Sequence, residues 1–336
     1  MSRYDFASDN TAGATPEAMA VLLAANDVGP TPGYGTDPVT SEAANAVRAW
    51  LDADAEVRFV ASGTAANAIS LATLCRPFEA VLAHEHAHIT TDETGAPGYF
   101  GHGLGIIGLP GASAKIDPVS LDFALCRQDT PHKQSPAALS LTNATEYGGI
   151  YTEEELTRLT TPAQTRGCAV HLDGARLANA VAAGFDQKAI AGAGVDILVL
   201  GGTKAGMPPT EAVVIFNKPL ARRFDARLKQ SGQLPSKGRF YAAPFIGMLR
   251  DGALERHAAH ANAMAQRLAE GMSFDLKHPV QANGVFVDMP QDAHDRLTAT
   301  GWVTYRGLDS SVRFMCSWAT KPETVDQVLA AIAAIA

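Results

Sequence analysis

The sequence predicts an α/β fold with a mostly parallel sheet. Between residues 57 and 202 of the 336-residue chain, short apolar segments alternate with segments of helical periodicity. Such alternation is typical of strands joined by crossover helices, which makes neighbouring strands parallel. After residue 240 the pattern changes to a long helical stretch, two strand-like segments and a terminal helix, which predicts a smaller α+β domain. We place the domain boundary between residues 245 and 246, giving domains of residues 1–245 and 246–336.

The predicted elements follow in chain order. The segment VGPTPGYGTDPVT contains too many glycines and prolines for a helix or inner strand, and a helix is predicted after it at 41–52. Short apolar runs predict strands at 57–62, 80–88, 104–110, 137–143, 168–173 and 195–202. Helical spacing predicts helices at 64–75, 152–167 and 175–185, and a terminal helix at 321–336. The segments GVFVDM and SVRFMCSW are the strands of the smaller domain.

Composition limits the classes of function. The chain is 46% hydrophobic and has a net charge of -8, which favours a globular protein and argues against nucleic acid or anionic membrane as its main partner. Its four cysteines form no CxxC pair, as expected of reduced thiols in the cytoplasm. The N-terminal segment MSRYDFASDN has no apolar region, so we expect no signal peptide. We also expect no membrane span, because the apolar runs are too short.

Lys204 stands where a buried strand is predicted to end, in the segment LVLGGTKAG. Loss of water at such a position lowers the pKa of a lysine amine and makes it a better nucleophile. Lysines of this kind form Schiff bases with carbonyl compounds. The alternative is a lysine whose side chain extends from the strand end into solvent.

Asp173 ends the preceding predicted strand, in the segment HLDGARLANA. One crossover helix separates it from the strand before Lys204, so both side chains should lie side by side at one edge of the sheet. A buried carboxylate needs a partner, and a protonated ring nitrogen of a cofactor would serve. Arg176 stands at the start of the next predicted helix. Its guanidinium could bind a carboxylate or phosphate with two parallel hydrogen bonds, or form an ion pair with Asp173.

A third motif lies at the turn from strand to helix in VASGTAANA, where Ser62, Gly63 and Thr64 stand. Free backbone N–H groups and the helix dipole bind anions at such a turn, although an ordinary helix cap has the same sequence. A lysine, an aspartate and a helix N-terminus in these elements together predict a site for pyridoxal phosphate.

Three alternating histidines, His84, His86 and His88, occur in AHEHAH. If the segment were a strand they would share one face, as metal ligands can. A metal there would have to share space with the phosphate site. We therefore expect no metal, one histidine stacked on the cofactor ring, and structural roles for the others.

Several motifs resemble the low-specificity L-threonine aldolases, which are pyridoxal-phosphate enzymes of the aspartate-aminotransferase fold (fold type I). The resemblance covers almost the whole chain and rests on DFASDNTAGATPEAM, YGTDP, ASGTAAN, HLDGARLANA and GGTKAGMPPTEAVVIF. It implies a mostly parallel seven-stranded sheet and the cleavage of L-threonine, L-allo-threonine and related β-hydroxy amino acids to glycine and an aldehyde.

The resemblance also implies roles for matching residues. The catalytic residues would be Lys204, Asp173 and His88, with His88 stacked on the cofactor ring and taking the β-hydroxyl proton itself or through a water. Lys204 would hold the cofactor covalently and Asp173 its ring nitrogen. The remaining cofactor contacts would come from Gly63, Thr64, Thr203 and Arg239. The substrate contacts would come from Ser8, Tyr34, Arg176 and Arg313.

The family places its active sites between subunits, which implies a homodimer or homotetramer with shared sites. Lys237 or Arg239 of PSKGRF would then reach a neighbour's phosphate. The chain departs from the family where many members have a histidine after the asparagine strand, because it has TNATEYGGIY with Glu146 nearby. The lysine segment also departs, with Ala205 and a Pro-Pro pair, so substrate preference stays open.

Two other functions remain open at the level of sequence. A β-eliminating lyase or an aminotransferase of the same fold would share Lys204 and Asp173 but would form pyruvate and ammonia, or a keto acid. A metal-binding protein would use His84, His86 and His88, and metal analysis would identify it. The physiological substrate and the threo or erythro preference at Cβ are not determined by the sequence.

Overall fold

The computed structural model describes residues 2–126 and 130–335. The helices of this part are α1 (Pro16–Asn26), α2 (Pro38–Leu51), α3 (Gly63–Leu74), α4 (His88–Thr91), α5 (Ala96–Phe100), α6 (Pro118–Leu125), α7 (Glu153–Thr165), α8 (Leu177–Ala182), α9 (Ala189–Gly192), α10 (Ala221–Gln230), α11 (Arg239–Leu249), α12 (Ala253–Glu270), α13 (Gln291–Ala299) and α14 (Pro322–Ala333). The strands are β1 (Glu56–Val60), β2 (Glu79–His84), β3 (Gly105–Leu109), β4 (Ser135–Thr142), β5 (Ala169–Gly174), β6 (Ile197–Gly201), β7 (Glu211–Ile215), β8 (Gly284–Val287), β9 (Tyr305–Arg306) and β10 (Val312–Met315).

The large sheet has seven strands in the order β1-β7-β6-β5-β4-β2-β3. Neighbouring strands from β3 to β6 are parallel, and β7 is antiparallel to both β6 and β1. It follows that β1 runs parallel to β6, so their carboxyl ends lie at one edge of the sheet. The predicted α/β class and the mostly parallel sheet are confirmed.

Two strands differ from the sequence prediction. The strand predicted at 80–88 ends at His84, and His88 instead begins the short helix α4. The backbone N–H of His86 donates to Nδ1 of His84, so this hydrogen bond to a side chain replaces a hydrogen bond to a neighbouring strand, and the strand ends. The strand β7 was missed, although its segment EAVVI has the β-branched residues that favour strands.

The main core lies between the large sheet and the helices that cover it. Every residue of β6 is buried, as expected of a central strand with helices on both faces of the sheet. A second core packs against the smaller antiparallel sheet, whose strand order is β8-β10-β9. Phe6 is fully buried in this second core, so the N-terminal segment packs on the smaller sheet.

The domain boundary proposed between residues 245 and 246 falls inside α11. The main core extends beyond this position, because Leu254 and Ala258 of α12 belong to it. The division at residue 245 stays a prediction. None of the helices in the described part of the chain is long and apolar enough to span a membrane.

Candidate active site

Asp173 and Lys204 lie at the carboxyl edge of the large sheet. Asp173 is the last residue but one of β5, and Lys204 follows the end of the adjacent parallel strand β6. The register pairs Asp173 with Val199, so the two strands end side by side as the spacing predicts. A lysine and an aspartate therefore meet at the edge where α/β sheets bind ligands.

The amine of Lys204 is available for covalent chemistry. The residue is partly buried, and its Nζ makes no hydrogen bond or ion pair with any residue of the described ranges. Burial lowers the pKa of Lys204, and the positive charge of Arg176 lowers it further. Both effects favour the neutral, nucleophilic amine.

The carboxylate of Asp173 is buried and held by two neutral donors. Asn67 Nδ2 donates to Oδ2 at 2.8 Å, and the backbone N–H of Ala175 donates to Oδ1 at 2.9 Å. The ion pair between Asp173 and Arg176 that the sequence left open does not form. Neither hydrogen-bond donor is charged, so a protonated ring nitrogen would be a suitable additional partner for this carboxylate.

Asn67 links Asp173 to a histidine through a second carboxylate. Its Nδ2 also donates to Glu93 Oε1 at 2.9 Å, and the same oxygen lies 3.0 Å from Nδ1 of His88. The hydrogen bond to Glu93 raises the pKa of His88. The role of Asn67 was missed by the sequence analysis, although it lies one turn after Gly63 on a helix already assigned to the site.

Arg176 is paired with a carboxylate from the N-terminal segment. Its Nε and Nη2 donate to Asp9 at 2.6 and 3.0 Å, and Asn283 Nδ2 donates to Asp9 at 3.1 Å. Burial alone would raise the pKa of Asp9, but the charge and hydrogen bonds of Arg176 outweigh it and lower the pKa to about 2. The role of Asp9 was also missed, because no local sequence pattern connects it to Arg176.

His88, Arg176 and Lys204 line a cavity of about 480 Å³. One side, which we call the sheet wall, is formed by His88, Glu146 and Lys204 at the carboxyl edge of the large sheet. The other side, the hairpin wall, is formed by Tyr305, Arg306 and Arg313 of the smaller sheet and its hairpin. The cavity is also lined by two residues predicted to contact substrate, Ser8 and Arg176.

Arg313 contributes a guanidinium to the hairpin wall. It alternates with the buried residues Val312 and Phe314, as its sequence pattern predicts. Its Nη2 donates to the backbone oxygen of Ala7 at 3.2 Å, while its buried Nε has no partner in the described part of the chain. A guanidinium with unused donors facing a cavity is suited to a carboxylate.

The helix N-terminus predicted for the phosphate lies at the same edge. Helix α3 begins at Gly63 directly after β1, and Ser62 caps it by accepting a hydrogen bond from Ala65 N at 3.3 Å. Nothing lies within 4 Å of the position that a Cβ would take at Gly63, so there is space for a group at this turn. Because Asn67 of the same helix contacts Asp173, the helix start faces the site.

Tyr34 and Arg239 do not line this cavity. Tyr34 is 53% exposed and lines a separate cavity of about 370 Å³ with Gly35 and Gly238. Arg239 donates from Nε to the backbone oxygen of Ala25 at 3.1 Å. The exposed Lys237 is likewise absent from the lining of the Lys204 cavity.

The histidine face proposed as an alternative metal site does not exist. Only His84 belongs to the strand, and its Nε2 lies 3.0 Å from the backbone oxygen of Gly111. Nδ1 of His86 is hydrogen-bonded to the hydroxyl of Tyr147 at 2.8 Å. Among residues 2–126 and 130–335, no group of three His, Cys, Asp or Glu is placed to hold a metal ion.

The residues present fit pyridoxal phosphate. The site offers a free amine at Lys204, a carboxylate without a cationic hydrogen-bond partner at Asp173, and open space at the α3 N-terminus. These three groups match the aldehyde, the ring nitrogen and the phosphate of that cofactor.

Comparison with known proteins agrees with this chemistry. The model of the beta-eliminating lyase family matches residues 5–292. The chain is 43% identical to the low specificity L-threonine aldolase of Pseudomonas sp. (strain NCIMB 10558), over 98% of this chain and 97% of that protein. It is also 43% identical to the low specificity L-threonine aldolase of Pseudomonas aeruginosa, over 96% of this chain and 95% of that protein.

Solved structures give the same result. The threonine aldolase of Leishmania major has a TM-score of 0.92 and 29% identity, and the match covers 99% of this chain and 100% of that one. The aspartate aminotransferase of Thermus thermophilus, at 16% identity, has a TM-score of 0.75 over 97% of this chain and 89% of that one, which confirms the predicted fold. This chain belongs to the beta-eliminating lyase family and, within it, to the pyridoxal-phosphate-dependent low-specificity L-threonine aldolases.

Proposed function

We propose that the protein cleaves L-threonine, L-allo-threonine and related β-hydroxy amino acids to glycine and an aldehyde. The observation that carries this proposal is the unpaired amine of Lys204 beside the buried carboxylate of Asp173, in a chain 43% identical to low specificity L-threonine aldolases over nearly its full length. When bound, pyridoxal phosphate supplies an electron sink for the pair of electrons left on Cα as the Cα–Cβ bond breaks.

The sheet wall and the elements beneath it would hold the cofactor. Lys204 attaches it covalently, and Asp173 keeps a proton on the ring nitrogen, which strengthens the electron sink. The turn at Gly63 and Thr64 binds the phosphate at the N-terminus of α3. Thr203, whose hydroxyl accepts a hydrogen bond from Thr210 N at 3.1 Å, stiffens the turn that carries Lys204.

The arginines would orient the substrate. Arg313 has a buried Nε without a partner among the described residues, so it can grip the α-carboxylate with two parallel hydrogen bonds. Arg176 has already committed Nε and Nη2 to Asp9, and only its remaining N–H groups can reach a ligand. Ser8 lines the same cavity and adds a hydroxyl. This grip sets the Cα–Cβ bond perpendicular to the cofactor ring, the geometry that cleavage requires.

The products test this function. Purified protein loaded with pyridoxal phosphate should release glycine and acetaldehyde in equal amounts from L-threonine. Glycine with the matching aldehyde should appear from other β-hydroxy amino acids in a panel. Pyruvate with ammonia would instead identify a β-eliminating lyase, and a keto acid an aminotransferase.

We further propose that active sites are shared between subunits of a homodimer, alone or paired into a homotetramer. Within one chain Tyr34 and Arg239 do not line the cavity that contains Lys204, and we therefore assign them to the site of a neighbour. Co-expression of Lys204→Ala chains with Arg239→Ala chains tests this, because only shared sites give hybrids with one intact site. Activity that stays absent in the hybrids, although each variant forms the same oligomer as wild type, would refute the proposal.

We also propose a cytoplasmic location. The free thiols of Cys75, Cys168 and Cys316 are buried within the described structure, and Cys126 is exposed and free as well. Unpaired cysteines favour a reducing compartment. Fractionation of cells expressing the protein from its natural start, followed by an activity assay, tests this location.

A further inference from the structure

Glu146 lies in the active-site cavity but has no role in the functions assigned so far. It follows β4, which is the parallel neighbour of β5, and the register pairs Thr142 with Asp173. Its carboxyl group therefore reaches the same sheet edge as the cofactor residues, and it lines the cavity together with His88 and Lys204.

The two carboxyl oxygens of Glu146 have different surroundings. Oε1 accepts hydrogen bonds from the backbone N–H of His88 at 2.9 Å and from the hydroxyl of Thr142 at 3.2 Å. Oε2 is buried and has no hydrogen-bond partner in the described structure. A buried acceptor without a donor is unfavourable, so the site is built to receive a group that carries an O–H or N–H.

The charges around Glu146 suit a group that exchanges a proton. Burial raises the pKa of Glu146, and the negative charge of Asp173 raises it further. The titratable and charged groups around it are Tyr147 and Tyr151 of its own loop and, from the neighbouring elements, His88, Asp173, Arg176 and Lys204. A carboxylate whose pKa is raised is a stronger base than an ordinary carboxylate.

His88 is the other candidate in the sheet wall, and its contacts suit it less. Its Nδ1 lies 3.0 Å from Glu93, and this hydrogen bond raises the pKa of the imidazole. This hydrogen bond occupies Nδ1, so only Nε2 of His88 remains to meet a ligand. Its backbone N–H, by contrast, fixes Oε1 of Glu146, so His88 positions the carboxyl group rather than replacing it.

We propose that Glu146 Oε2 accepts the proton of the substrate β-hydroxyl during cleavage and returns it in the reverse, condensing direction. This inference rests on the proposed aldolase function. The O–H bond breaks as its proton moves to Oε2, and its electron pair forms the carbonyl C=O of the aldehyde. The Cα–Cβ bond breaks and leaves its pair on Cα, which a proton from solvent later neutralises to give glycine. Glu146 then releases its proton to solvent, so no net proton is gained or lost.

The test compares two reactions of the Glu146→Gln holoenzyme. The second reaction is the exchange of a Cα proton of glycine for deuterium in deuterated water. It depends on the same cofactor-binding residues, but glycine has no β-hydroxyl group. Cleavage of L-threonine should fall by about 10²- to 10⁴-fold, while glycine exchange should stay within about threefold of wild type. Glu85→Gln is the matched control, because it removes a neighbouring exposed carboxylate outside the cavity and should leave both rates unchanged.

Equal losses in both reactions would mean that Glu146 only supports the structure, and unchanged cleavage would mean that another group takes the proton. Either result overturns the inference. Glu146→Ala gives a second measurement, because formate can enter the vacated space and should restore cleavage in proportion to its concentration. If Glu146→Gln fails to bind cofactor, the formate experiment decides. A lack of restored cleavage with formate would then contradict the proposal. A wild-type protein that exchanges the glycine proton but releases no aldehyde from any β-hydroxy amino acid would instead refute the proposed function.

Discussion

The two walls of the active-site cavity differ in how their polar groups are held. Behind the sheet wall, Asp173 receives two hydrogen bonds and His88 is tied to Glu93, with partners from several elements of the large sheet and its helices. On the hairpin wall, Tyr305 is 50% exposed, and Arg313 makes a single hydrogen bond to a backbone oxygen. Asp173 and His88 are therefore held in place before any ligand arrives, whereas Arg313 keeps free donors.

From this difference we expect the two walls to have different tasks. Groups that tune a cofactor must be held in place in advance, which a buried parallel sheet with cross-linked side chains provides. Groups that recognise a substrate need unused donors at an accessible surface. Leu308, in the hairpin between β9 and β10, lines the cavity and is 66% exposed. We therefore expect changes in the sheet wall to act on chemistry and changes in the hairpin wall to act on substrate orientation.

The largest effect should come from Lys204→Ala, which removes the amine that no other side chain of the sheet wall supplies. Cleavage of L-threonine should fall by at least about 10³-fold, because the covalent attachment of the cofactor is lost. Borohydride reduction followed by mass analysis checks this, since wild type should gain the reduced cofactor and the variant should not. The control is Lys188→Ala, at an exposed lysine away from the cavity. A variant that still fixes the cofactor after reduction would place the attachment on another lysine.

Asp173→Asn should leave the cofactor bound but slow cleavage by about 10²-fold. A neutral amide cannot hold a proton on the ring nitrogen, so less of the negative charge on Cα is delocalised. Steady-state glycine formation and the visible absorbance of the bound cofactor measure the two properties separately. If the loss is smaller than tenfold, about 1.4 kcal/mol of barrier, the carboxylate has only a structural role.

The sequence predicted Lys204 of the sheet wall and Asp173 behind it, but not the side chains that hold the surrounding groups in place. Lys204 and Asp173 were predictable because the carboxyl ends of adjacent parallel strands meet, so two local patterns determine one contact. The pair of Asp9 and Arg176 joins residues 167 positions apart, and no periodicity encodes such a contact. The prediction of a strand through His88 was wrong. Alternation of residue types does not reveal that the side chain of His84 accepts a hydrogen bond from the backbone of His86, where the strand ends.

The Asp9–Arg176 pair joins the N-terminal segment to the start of α8, and its contribution to stability should depend on pH. The pKa of Asp9 is about 2 in the folded protein, below its usual value of 3.8. The charged form therefore stabilises the fold above about pH 4, by about 2 kcal/mol, and this stabilisation is lost as pH falls from about 4 to 2. Asp9→Asn should lower the free energy of unfolding by at least that amount at pH 7, and the difference from wild type should shrink towards pH 3.

Urea unfolding at pH 7 and pH 3 measures this difference. The matched control is Asp326→Asn, because Asp326 forms a comparable two-pronged pair with Arg267 on the surface, where both side chains are about half exposed. Exposed pairs contribute about 0 to 1 kcal/mol, so this variant should unfold much like wild type. Equal effects of the two substitutions would show that burial does not distinguish the pairs.

The smallest effect, and the sharpest test of the difference between the walls, should come from Arg313→Lys on the hairpin wall. Lysine keeps the positive charge but lacks the planar fork that grips a carboxylate with two hydrogen bonds. The variant should keep its cofactor absorbance and lose about tenfold in kcat/KM for L-threonine, because a poorly oriented Cα–Cβ bond reacts slowly. Arg306→Lys is the control on the same wall, since Arg306 Nη2 already donates to the backbone oxygen of Met289 at 2.9 Å. A larger loss in that control would assign the carboxylate to Arg306, and a loss of cofactor in Arg313→Lys would show that the hairpin wall also holds the cofactor.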